Sequence, residues 1–246
     1  LVKKMFWNYS VYLQNSVKNA NHVLCMNSSV SNLLHLEKNS FSILPSVATE
    51  DFFEGEISKK EHFNIISVGR FVPLKGFDLT INAFIKFIYS IPNNERNNCK
   101  LTLVGTGPEK ELFQQLIKTN NVGKYIEIIE WIDRKELMKL YKNASVFLFP
   151  SHEGAGMVVA EALSFGLPVV CLNNEGPGEF ISNECGFAIN HNEYNQTVFE
   201  LKEALCTLNS DKNLLFEMSK NARNHYENNF TWNSKGNYLK NIYNQI

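Results

Sequence analysis

The chain has 246 residues, of which 44% are hydrophobic and 20% are charged. This length can bury a sizeable core in one large domain, or in one domain plus part of a second. The formal net charge of -1 excludes the basic excess typical of nucleic-acid-binding proteins, although cations can still cluster around a small anionic ligand.

The cysteines and the hydropathy pattern predict a cytoplasmic protein. The five cysteines are odd in number and show no metal-ligand spacing, which favours reduced thiols. No apolar run approaches the roughly 20 residues of a membrane span, and no signal peptide is visible. We therefore expect a cytoplasmic location.

The N-terminal quarter of the chain predicts short elements followed by a linker. Residues 1–20 have helical spacing, and two short strands at 22–26 and 41–44 flank a helix at 28–36 that Ser28 or Ser29 would cap. Polar, acidic residues with no apolar period follow. We predict a linker there, bounded at residues 48–61.

Strands and helices alternate regularly after the linker. The predicted strands are 63–69, 99–105, 125–132, 145–150, 167–172 and 186–190, and the predicted helices are 76–91, 109–120, 134–144, 157–166, 196–208, 213–228 and a last one from Trp232. This alternation, with continuously apolar strands, predicts an α/β fold: a Rossmann-like parallel sheet flanked by helices on both faces. Ligands bind beyond the carboxyl ends of such strands.

The first informative stretch is "VGRFVPLKG", residues 68–76. A strand ends at Gly69, Arg70 follows, and Lys75 comes five residues after Arg70. A guanidinium, an ammonium and the N-terminus of the next helix suit a diphosphate. Two solvated surface cations explain this stretch equally well when it is considered alone.

The second stretch, "LVGTGPE" at residues 103–109, is a glycine-marked turn. Gly105 permits a close backbone approach to a ligand. The stretch lacks the full dinucleotide-binding pattern, so an ordinary strand-to-helix turn is the favoured interpretation.

The third stretch is "PSHEGAGMVVAEALSFGLPVV", residues 150–170. Glu153 precedes a glycine turn, and Glu161 lies about four residues into a helix, roughly 6 Å along its axis. The helix N-terminus can hold an anion, and the two carboxylates can accept hydroxyl groups on either side of it. The alternative is that Glu161 pairs with an unidentified Lys or Arg. We favour the ligand, because three glycine-marked turns converge on one edge of the sheet.

In combination, these stretches resemble the C-terminal, donor-binding half of a retaining glycosyltransferase of family 4, which has the two-domain GT-B fold. Glu153 and Glu161 match its E-x7-E motif, and Arg70 and Lys75 match its R-x4-K motif. The resemblance covers roughly residues 20–246. It implies transfer of a hexosyl or related sugar from a UDP- or GDP-linked donor to a glycan or lipid-linked acceptor, as in polysaccharide biosynthesis, with retention and without a cofactor.

The resemblance also assigns roles to residues. Arg70, Lys75 and Glu153 would be catalytic, the two cations stabilising the leaving diphosphate and Glu153 orienting the sugar. The donor-binding residues would be Gly69, Gly105, Trp131, Ile132, Gly154, Ala155, Gly156, Met157, Val158 and Glu161. Glu161 would hold the ribose, and the base would meet the backbone near Trp131. No metal site is expected, since no Asp-x-Asp cluster is present.

Two departures from the family pattern bear on the sugar or base preference. The loop at residues 173–179 reads "NNEGPGE" in place of paired glycines before an acid, and Glu130 replaces a glycine. His152, beside Glu153, invites a catalytic role, but a polar loop residue is the favoured interpretation, because no partner that would orient a base stands at a recognisable spacing.

The resemblance divides the chain into four parts. Residues 1–47 would be a remnant of the N-terminal acceptor-side domain, 48–61 the linker, 62–230 the nucleotide-sugar-binding domain, and 231–246 a helix returning toward the N-terminal domain. Because most of the acceptor-binding domain is missing, we expect a fragment that binds donor but transfers poorly. The resemblance also implies peripheral association with the inner face of a membrane, through that missing domain. Two alternatives stay open: a non-catalytic donor-binding subunit of a two-chain transferase, and a sugar-nucleotide epimerase of the same fold.

Overall fold

A computed structural model describes residues 10–37, 40–44, 47–153 and 156–245. The strands in these ranges are β1 Val23–Cys25, β2 Phe41–Ile43, β3 Phe63–Val68, β4 Cys99–Val104, β5 Ile126–Ile129, β6 Val146–Phe149, β7 Val169–Leu172 and β8 Gly186–Ile189. The α-helices are α1 Val11–Lys18, α2 Ser28–Leu34, α3 Phe77–Ser90, α4 Lys110–Thr119, α5 Arg134–Asn143, α6 Met157–Ser164, α7 Tyr194–Ser210, α8 Lys212–Asn229 and α9 Trp232–Tyr243. Single-turn 3-10 helices are Pro73–Lys75, Arg96–Asn98 and Pro177–Glu179.

The main sheet is parallel throughout its described strands and has the order β5-β4-β3-β6-β7-β8. The predicted α/β class, a Rossmann-like parallel sheet flanked by helices, is confirmed. The chain runs outward from β3 to β5 and then returns to build the other half from β6 to β8. The order therefore reverses between β3 and β6, and in sheets of this kind ligands bind at such a switch point, beyond the carboxyl ends of the strands.

Burial differs between the two halves of the sheet. Every residue of β6 and β7 is buried, because helices cover both faces of these strands. On the other side of β3, strand β4 and the edge strand β5 each expose a charged side chain, and Lys100 Nζ lies 2.6 Å from Glu127 Oε2. The continuous apolar pattern thus marks strands that are covered on both faces, and charged residues within a strand mark a face that is open to solvent.

Several boundaries differ from the predicted ones. Strand β5 ends at Ile129, whereas the pattern predicted a strand to residue 132, and the residues that follow form a loop. Helix α2 is capped by Asn27, whose side chain accepts from Val30 N at 3.1 Å, so the predicted Ser28 or Ser29 cap is wrong. The first predicted helix is described only as α1, since residues 1–9 lie outside the described ranges.

The N-terminal elements form a separate two-stranded parallel sheet, in which β1 pairs with β2.

Residues 48–61 contain no helix or strand among their described positions, but hydrogen bonds join them to α8. Arg223 Nη1 donates to Asp51 Oδ1 at 2.8 Å, and Tyr226 Oη donates to the carbonyl of Thr49 at 2.9 Å. Burial acts to raise the pKa of Asp51, but bonds from Arg223 and the Phe53 N–H hold it below its ordinary value. The four-part domain division stays a prediction.

All five cysteines are free thiols, and burial raises the pKa of Cys99 to about 11. Within the described ranges, no helix combines the length and the apolar character that crossing a membrane requires.

We predict that Gly105, between β4 and α4, accepts no side chain. Its φ is +149°, and an added Cβ would lie 1.9 Å from the carbonyl oxygen of Gly69. Gly105→Ala should lower the free energy of unfolding by about 2–4 kcal/mol in urea denaturation. Gly236 in α9 is the matched control, because its Cβ would meet nothing within 4 Å. Gly236→Ala should raise stability by about 0.5–1 kcal/mol. Equal effects of the two changes would contradict the close approach.

Candidate functional site

The loops after β3 and β6 are in direct contact at the switch point of the sheet. Leu74 in the first loop accepts from His152 N at 2.8 Å and from Ser151 Oγ at 3.3 Å, both in the second loop. Gly76 has φ of +64°, and a Cβ there would lie 2.2 Å from the carbonyl oxygen of Pro150. The two loops that carry the predicted R-x4-K and E-x7-E residues are therefore held in direct backbone contact.

The loop after β4 packs beneath the loop after β3. Gly105 approaches the Gly69 carbonyl as described above, and Phe71 N donates to the Thr106 carbonyl at 2.9 Å. The sequence favoured an ordinary turn at "LVGTGPE", but the turn also supports the backbone from which Arg70 extends. Contact of Gly69 or Gly105 with a ligand stays a prediction.

Lys75 and Glu153 form an ion pair across the two contacting loops. Their side chains are 18% and 20% exposed, and Lys75 Nζ lies 5.3 Å from the centre of the Phe149 ring. The sequence analysis placed both residues at the same edge of the sheet, but it assigned Lys75 to the diphosphate and Glu153 to the sugar of the donor. Their contact means that one small molecule can reach both groups, and that Glu153 lowers the net positive charge that Lys75 offers an anion.

Arg70 differs from Lys75 in its surroundings. Its side chain is exposed, and among the described residues it makes no hydrogen bond or ion pair. A guanidinium without a competing carboxylate keeps its full fork of donors for an anion. Arg70 is therefore the cation most available at this edge.

The start of α6 is an uncapped helix N-terminus. Gly156 is its N-cap residue, no side chain caps the helix, and the first turn contains no acid. Met157 is exposed and Val158 is half-buried, so the first-turn amides are near the surface. Such amides and the helix dipole favour an anion. The predicted donor-binding residues Gly154 and Ala155 lie outside the described residues.

Glu161 is buried in α6 and pairs with a cation. Its side chain is 8% exposed, and Arg134 Nη1 at the start of α5 lies 2.9 Å from Glu161 Oε1. The sequence analysis considered a pairing of Glu161 with an unidentified Lys or Arg and disfavoured it. The structure shows such a pairing, with Arg134 as the partner. Arg134 is 52% exposed, with its guanidinium carbon 4.9 Å from the centre of the Phe52 ring. A partner this exposed can move, so the pair does not exclude a ligand at Glu161.

The two predicted base-contact residues, Trp131 and Ile132, lie in the loop after β5 and differ in burial. Trp131 is 82% exposed, and Ile132 packs partly against the core. The preceding Glu130, which departs from the family pattern, forms an ion pair with Lys110. Recognition of a base by this loop stays a prediction.

A cleft of about 280 Å³ lies between α2 and the loops after β6 and β7. It is lined by Asn27, Ser29, Val30, Leu33, His152, Glu153, Asn174 and Glu175. The His152 ring lies 4.8 Å from the ring of His191, and burial, followed by the His191 charge, lowers its pKa. Amide, hydroxyl, carboxylate and neutral imidazole groups in one small cleft suit a neutral polyhydroxyl ligand.

Three residues of this region were not identified from the sequence. Asn174 Nδ2 donates to the Ser151 carbonyl at 2.7 Å, which ties the loop after β7 to the loop after β6. Glu179 accepts from Ser28 N at 3.0 Å and so joins α2 to the main domain. Both lie in "NNEGPGE", which was noted as unusual, whereas Arg134 carried no sequence signal at all.

The structure defines a Rossmann-like domain that carries, on the loops and the helix after β3 and β6, an arginine with no described partner, an uncapped helix N-terminus and two carboxylates paired with cations. Among the described residues, no group of three or more His, Cys, Asp or Glu is arranged to hold a metal ion. Residues 48–225 match the family model described as Glycosyl transferases group 1. The chain belongs to that family.

Two curated relatives illustrate the match. The chain is 28% identical over 166 residues to alpha-monoglucosyldiacylglycerol synthase of Acholeplasma laidlawii, covering 67% of this chain and 39% of that protein. It is 30% identical over 220 residues to UDP-Gal:alpha-D-GlcNAc-diphosphoundecaprenol alpha-1,3-galactosyltransferase of Escherichia coli, covering 88% of this chain and 53% of that protein. The chain thus spans about half the length of these relatives or less.

Solved structures share the fold. The GtfA/B complex superposes with a TM-score of 0.77 at 18% identity, over 96% of this chain and 48% of that one. HepE of Anabaena in complex with UDP gives 0.76 at 16% identity, over 99% of this chain and 68% of that one. These likenesses extend through the N-terminal elements as well as the main sheet.

We predict that Arg134 stabilises the fold through Glu161. Arg134→Met would leave a buried carboxylate without its cation and should lower the free energy of unfolding by about 1–3 kcal/mol. Lys135→Met is the matched control: Lys135 is the exposed neighbouring residue, with no described ion pair, and the change should stay within about 0.5 kcal/mol. A double-mutant cycle with Glu161→Gln measures the coupling directly. A coupling near zero would show that the pair contributes nothing.

Proposed function

We propose that this chain is the donor-binding part of a retaining glycosyltransferase of family 4, which transfers a sugar from a nucleotide-diphosphate sugar. The observation that carries the proposal is the direct contact of the loops after β3 and β6 at the switch point. This contact pairs Lys75 with Glu153, a few residues before the start of α6, and Arg70 is exposed on the first of the two loops. A diphosphate with hydroxyl-bearing groups on both sides matches cations flanked by carboxylates.

The names of two relatives support a donor in which the sugar is linked to UDP. The galactosyltransferase of Escherichia coli is named for UDP-Gal, and a Streptococcus agalactiae relative, 29% identical over 52% of this chain, is named for UDP-N-acetylglucosamine. We therefore propose UDP in preference to GDP. Diacylglycerol and diphosphoundecaprenol in the names of two relatives favour a lipid-linked acceptor. Such an acceptor would bring the enzyme to the inner face of a membrane.

The proposed chemistry breaks the bond between the anomeric carbon and the diphosphate oxygen. The acceptor hydroxyl oxygen forms the new bond on the same face of the sugar, and its proton passes to the departing phosphate oxygen. Negative charge grows on the diphosphate as its bond breaks. Arg70, Lys75 and the amides of Gly156, Met157 and Val158 at the start of α6 stabilise that charge in place of a metal ion. Gly154 and Ala155, which lie outside the described residues, are proposed as donor-binding from the sequence alone.

The two glutamates take the neutral parts of the donor. Glu153 accepts sugar hydroxyls in the cleft against α2, and Glu161 accepts ribose hydroxyls, while the base reaches the backbone at Trp131 and Ile132. Each glutamate is paired with a cation in the structure. Donor binding therefore exchanges ion pairs: the diphosphate attracts Lys75, and the ribose competes with Arg134 for Glu161.

We predict that both motif cations bind the diphosphate. Arg70→Ala and Lys75→Ala should each weaken UDP binding by about 1.5–3 kcal/mol, the scale of a charge-assisted hydrogen bond, and should hardly change uridine binding. Isothermal titration calorimetry with both ligands makes the comparison.

Lys86→Ala is the matched control for these cations, because Lys86 is exposed on α3, away from the loops. It should leave both affinities unchanged, and addition of EDTA should leave UDP binding by the unchanged protein intact. Equal losses for uridine and UDP in the Arg70 and Lys75 variants would show that these residues support the fold and not the phosphates.

We predict that the two glutamates bind opposite ends of the donor: Glu153 binds the sugar, and Glu161 binds the ribose. Glu161→Gln should weaken UDP and UDP-sugar alike by about 1.5–3 kcal/mol, roughly ten- to a hundredfold. Glu153→Gln should penalise only the UDP-sugar. It should spare UDP, or strengthen it, because Lys75 loses its competing carboxylate.

The same titrations, with UDP and a panel of UDP-hexoses, distinguish the two roles. Loss of UDP binding by Glu153→Gln but not by Glu161→Gln would mean that the donor lies in the opposite direction. Catalysis itself is tested with the acceptor present: product with inverted anomeric configuration would refute the retaining mechanism.

A further inference from the structure

The loop after β7, residues 173–179, is braced by one amide side chain. Asn174 Nδ2 donates to the Ser151 carbonyl at 2.7 Å, and Asn174 Oδ1 accepts from Gly176 N at 3.2 Å. The first bond fixes the start of this loop against the loop after β6. The second shapes the turn that leads into the single-turn 3-10 helix Pro177–Glu179. The end of the loop therefore has a defined position relative to the loop after β6.

Glu179, the last residue of this loop, binds the N-terminus of α2. Glu179 Oε2 accepts from Ser28 N at 3.0 Å, and Glu179 Oε1 accepts from the hydroxyl of Ser28. Ser28 is the first residue of α2, so its amide has no acceptor within the helix. Both donors of one residue meet one carboxylate, which makes these hydrogen bonds charge-assisted. Glu179 therefore attaches α2 to the main domain at the first turn of the helix.

The cleft of about 280 Å³ lies between the two segments that this loop joins. From α2 it is lined by Ser29, Val30 and Leu33, and from the loop after β6 by His152 and Glu153. The loop after β7 forms hydrogen bonds with both sides, since it begins against the loop after β6 and ends on α2. The position of α2 across the cleft from Glu153 thus depends on this loop.

We propose that Glu179 is a positioning residue for the donor sugar, an inference that rests on the proposed function. By holding α2, Glu179 keeps a hydroxyl group and two apolar side chains across the cleft from Glu153, the carboxylate proposed to accept sugar hydroxyls. The Ser29 hydroxyl has no described hydrogen bond and is available to the sugar, while Val30 and Leu33 cover the apolar face of a hexose ring.

In this arrangement the N-terminal elements take part in donor recognition, although the sequence analysis assigned residues 1–47 to the acceptor side. The nucleotide is proposed to bind at Arg70, Lys75 and the start of α6, which are not among the described residues that line the cleft. Loss of the contact between Glu179 and Ser28 should therefore weaken binding of the sugar and spare binding of UDP.

Ser28→Pro removes both donors of this contact and keeps α2. Proline is favoured at the first position of a helix, where the N–H has no helical partner. Asn27, the preceding residue, has φ of -157° and ψ of 172°, the extended conformation that is favoured before a proline. Glu179→Ala removes the acceptor instead. Glu184→Ala is the matched control, because Glu184 is an exposed glutamate of the main domain whose side chain has no described hydrogen bond or ion pair.

Calorimetry with UDP, and with UDP-galactose or UDP-glucose, whichever the unchanged protein binds more tightly, separates the sugar from the nucleotide. Ser28→Pro and Glu179→Ala should each weaken binding of the UDP-hexose about three- to tenfold and leave UDP within about twofold. The double variant should lose no more than the larger single loss, because both changes break the same contact. Glu184→Ala should leave both affinities unchanged.

A UDP-hexose loss below about twofold in either single variant overturns the proposal, and so do equal losses for UDP and the UDP-hexose, which would show a general effect on the fold. Additive losses in the double variant overturn it too, since the two residues would then act separately. UDP binding by the unchanged protein without binding of either UDP-hexose contradicts a sugar in the cleft, and the proposal with it. Failure of the unchanged protein to bind UDP contradicts the proposed function itself, and it appears before any variant is compared.

Discussion

The site depends on the close approach of three backbone segments at the carboxyl edge of the sheet. Gly105 lies against the Gly69 carbonyl, and Gly76 lies against the Pro150 carbonyl, at separations that no Cβ could accept. Because these contacts join backbone to backbone, they fix where the side chains begin, whatever rotamers they adopt. Lys75 reaches Glu153 only because the loops that carry them are joined in this way. Sheet topology brings the loops to one edge, and the glycines allow them to touch.

Two ion pairs keep the acids of the site neutralised. Glu161 in particular is too buried to remain unpaired without a large desolvation penalty, and Arg134 removes that penalty. Under the proposed function, a donor molecule has to offer each carboxylate hydroxyl groups that replace what the cation supplied. Arg70 has no described partner to lose, so an interaction of Arg70 with a diphosphate would not be offset by a broken contact. Of the two motif cations, Arg70 is therefore the one that can meet an anion without first giving up an ion pair.

The fold was predictable because its signal is local. Continuous apolar strands and helical periods identified the parallel sheet, and strand ends identified where Arg70 and Glu153 would stand. The end of β5 was missed because the apolar Trp131 and Ile132 prolong the strand pattern, although Trp131 is in solvent. The Arg134–Glu161 pair joins two helices that are 27 residues apart in the chain, and no spacing rule links them. Sequence patterns therefore located the site, while the partners of its acids required the tertiary structure.

Two fully buried tyrosines among the described residues differ in what their hydroxyl groups contact. A satisfied hydroxyl adds to stability, whereas an unsatisfied one costs about 1–3 kcal/mol that phenylalanine would not incur. The hydroxyl of Tyr226 donates to the Thr49 carbonyl and so holds the segment before β3 against α8. No described residue forms a hydrogen bond with the buried Tyr141 hydroxyl. The packing of the Tyr141 ring against Phe165 and Phe147 therefore has to offset the cost of burying that hydroxyl.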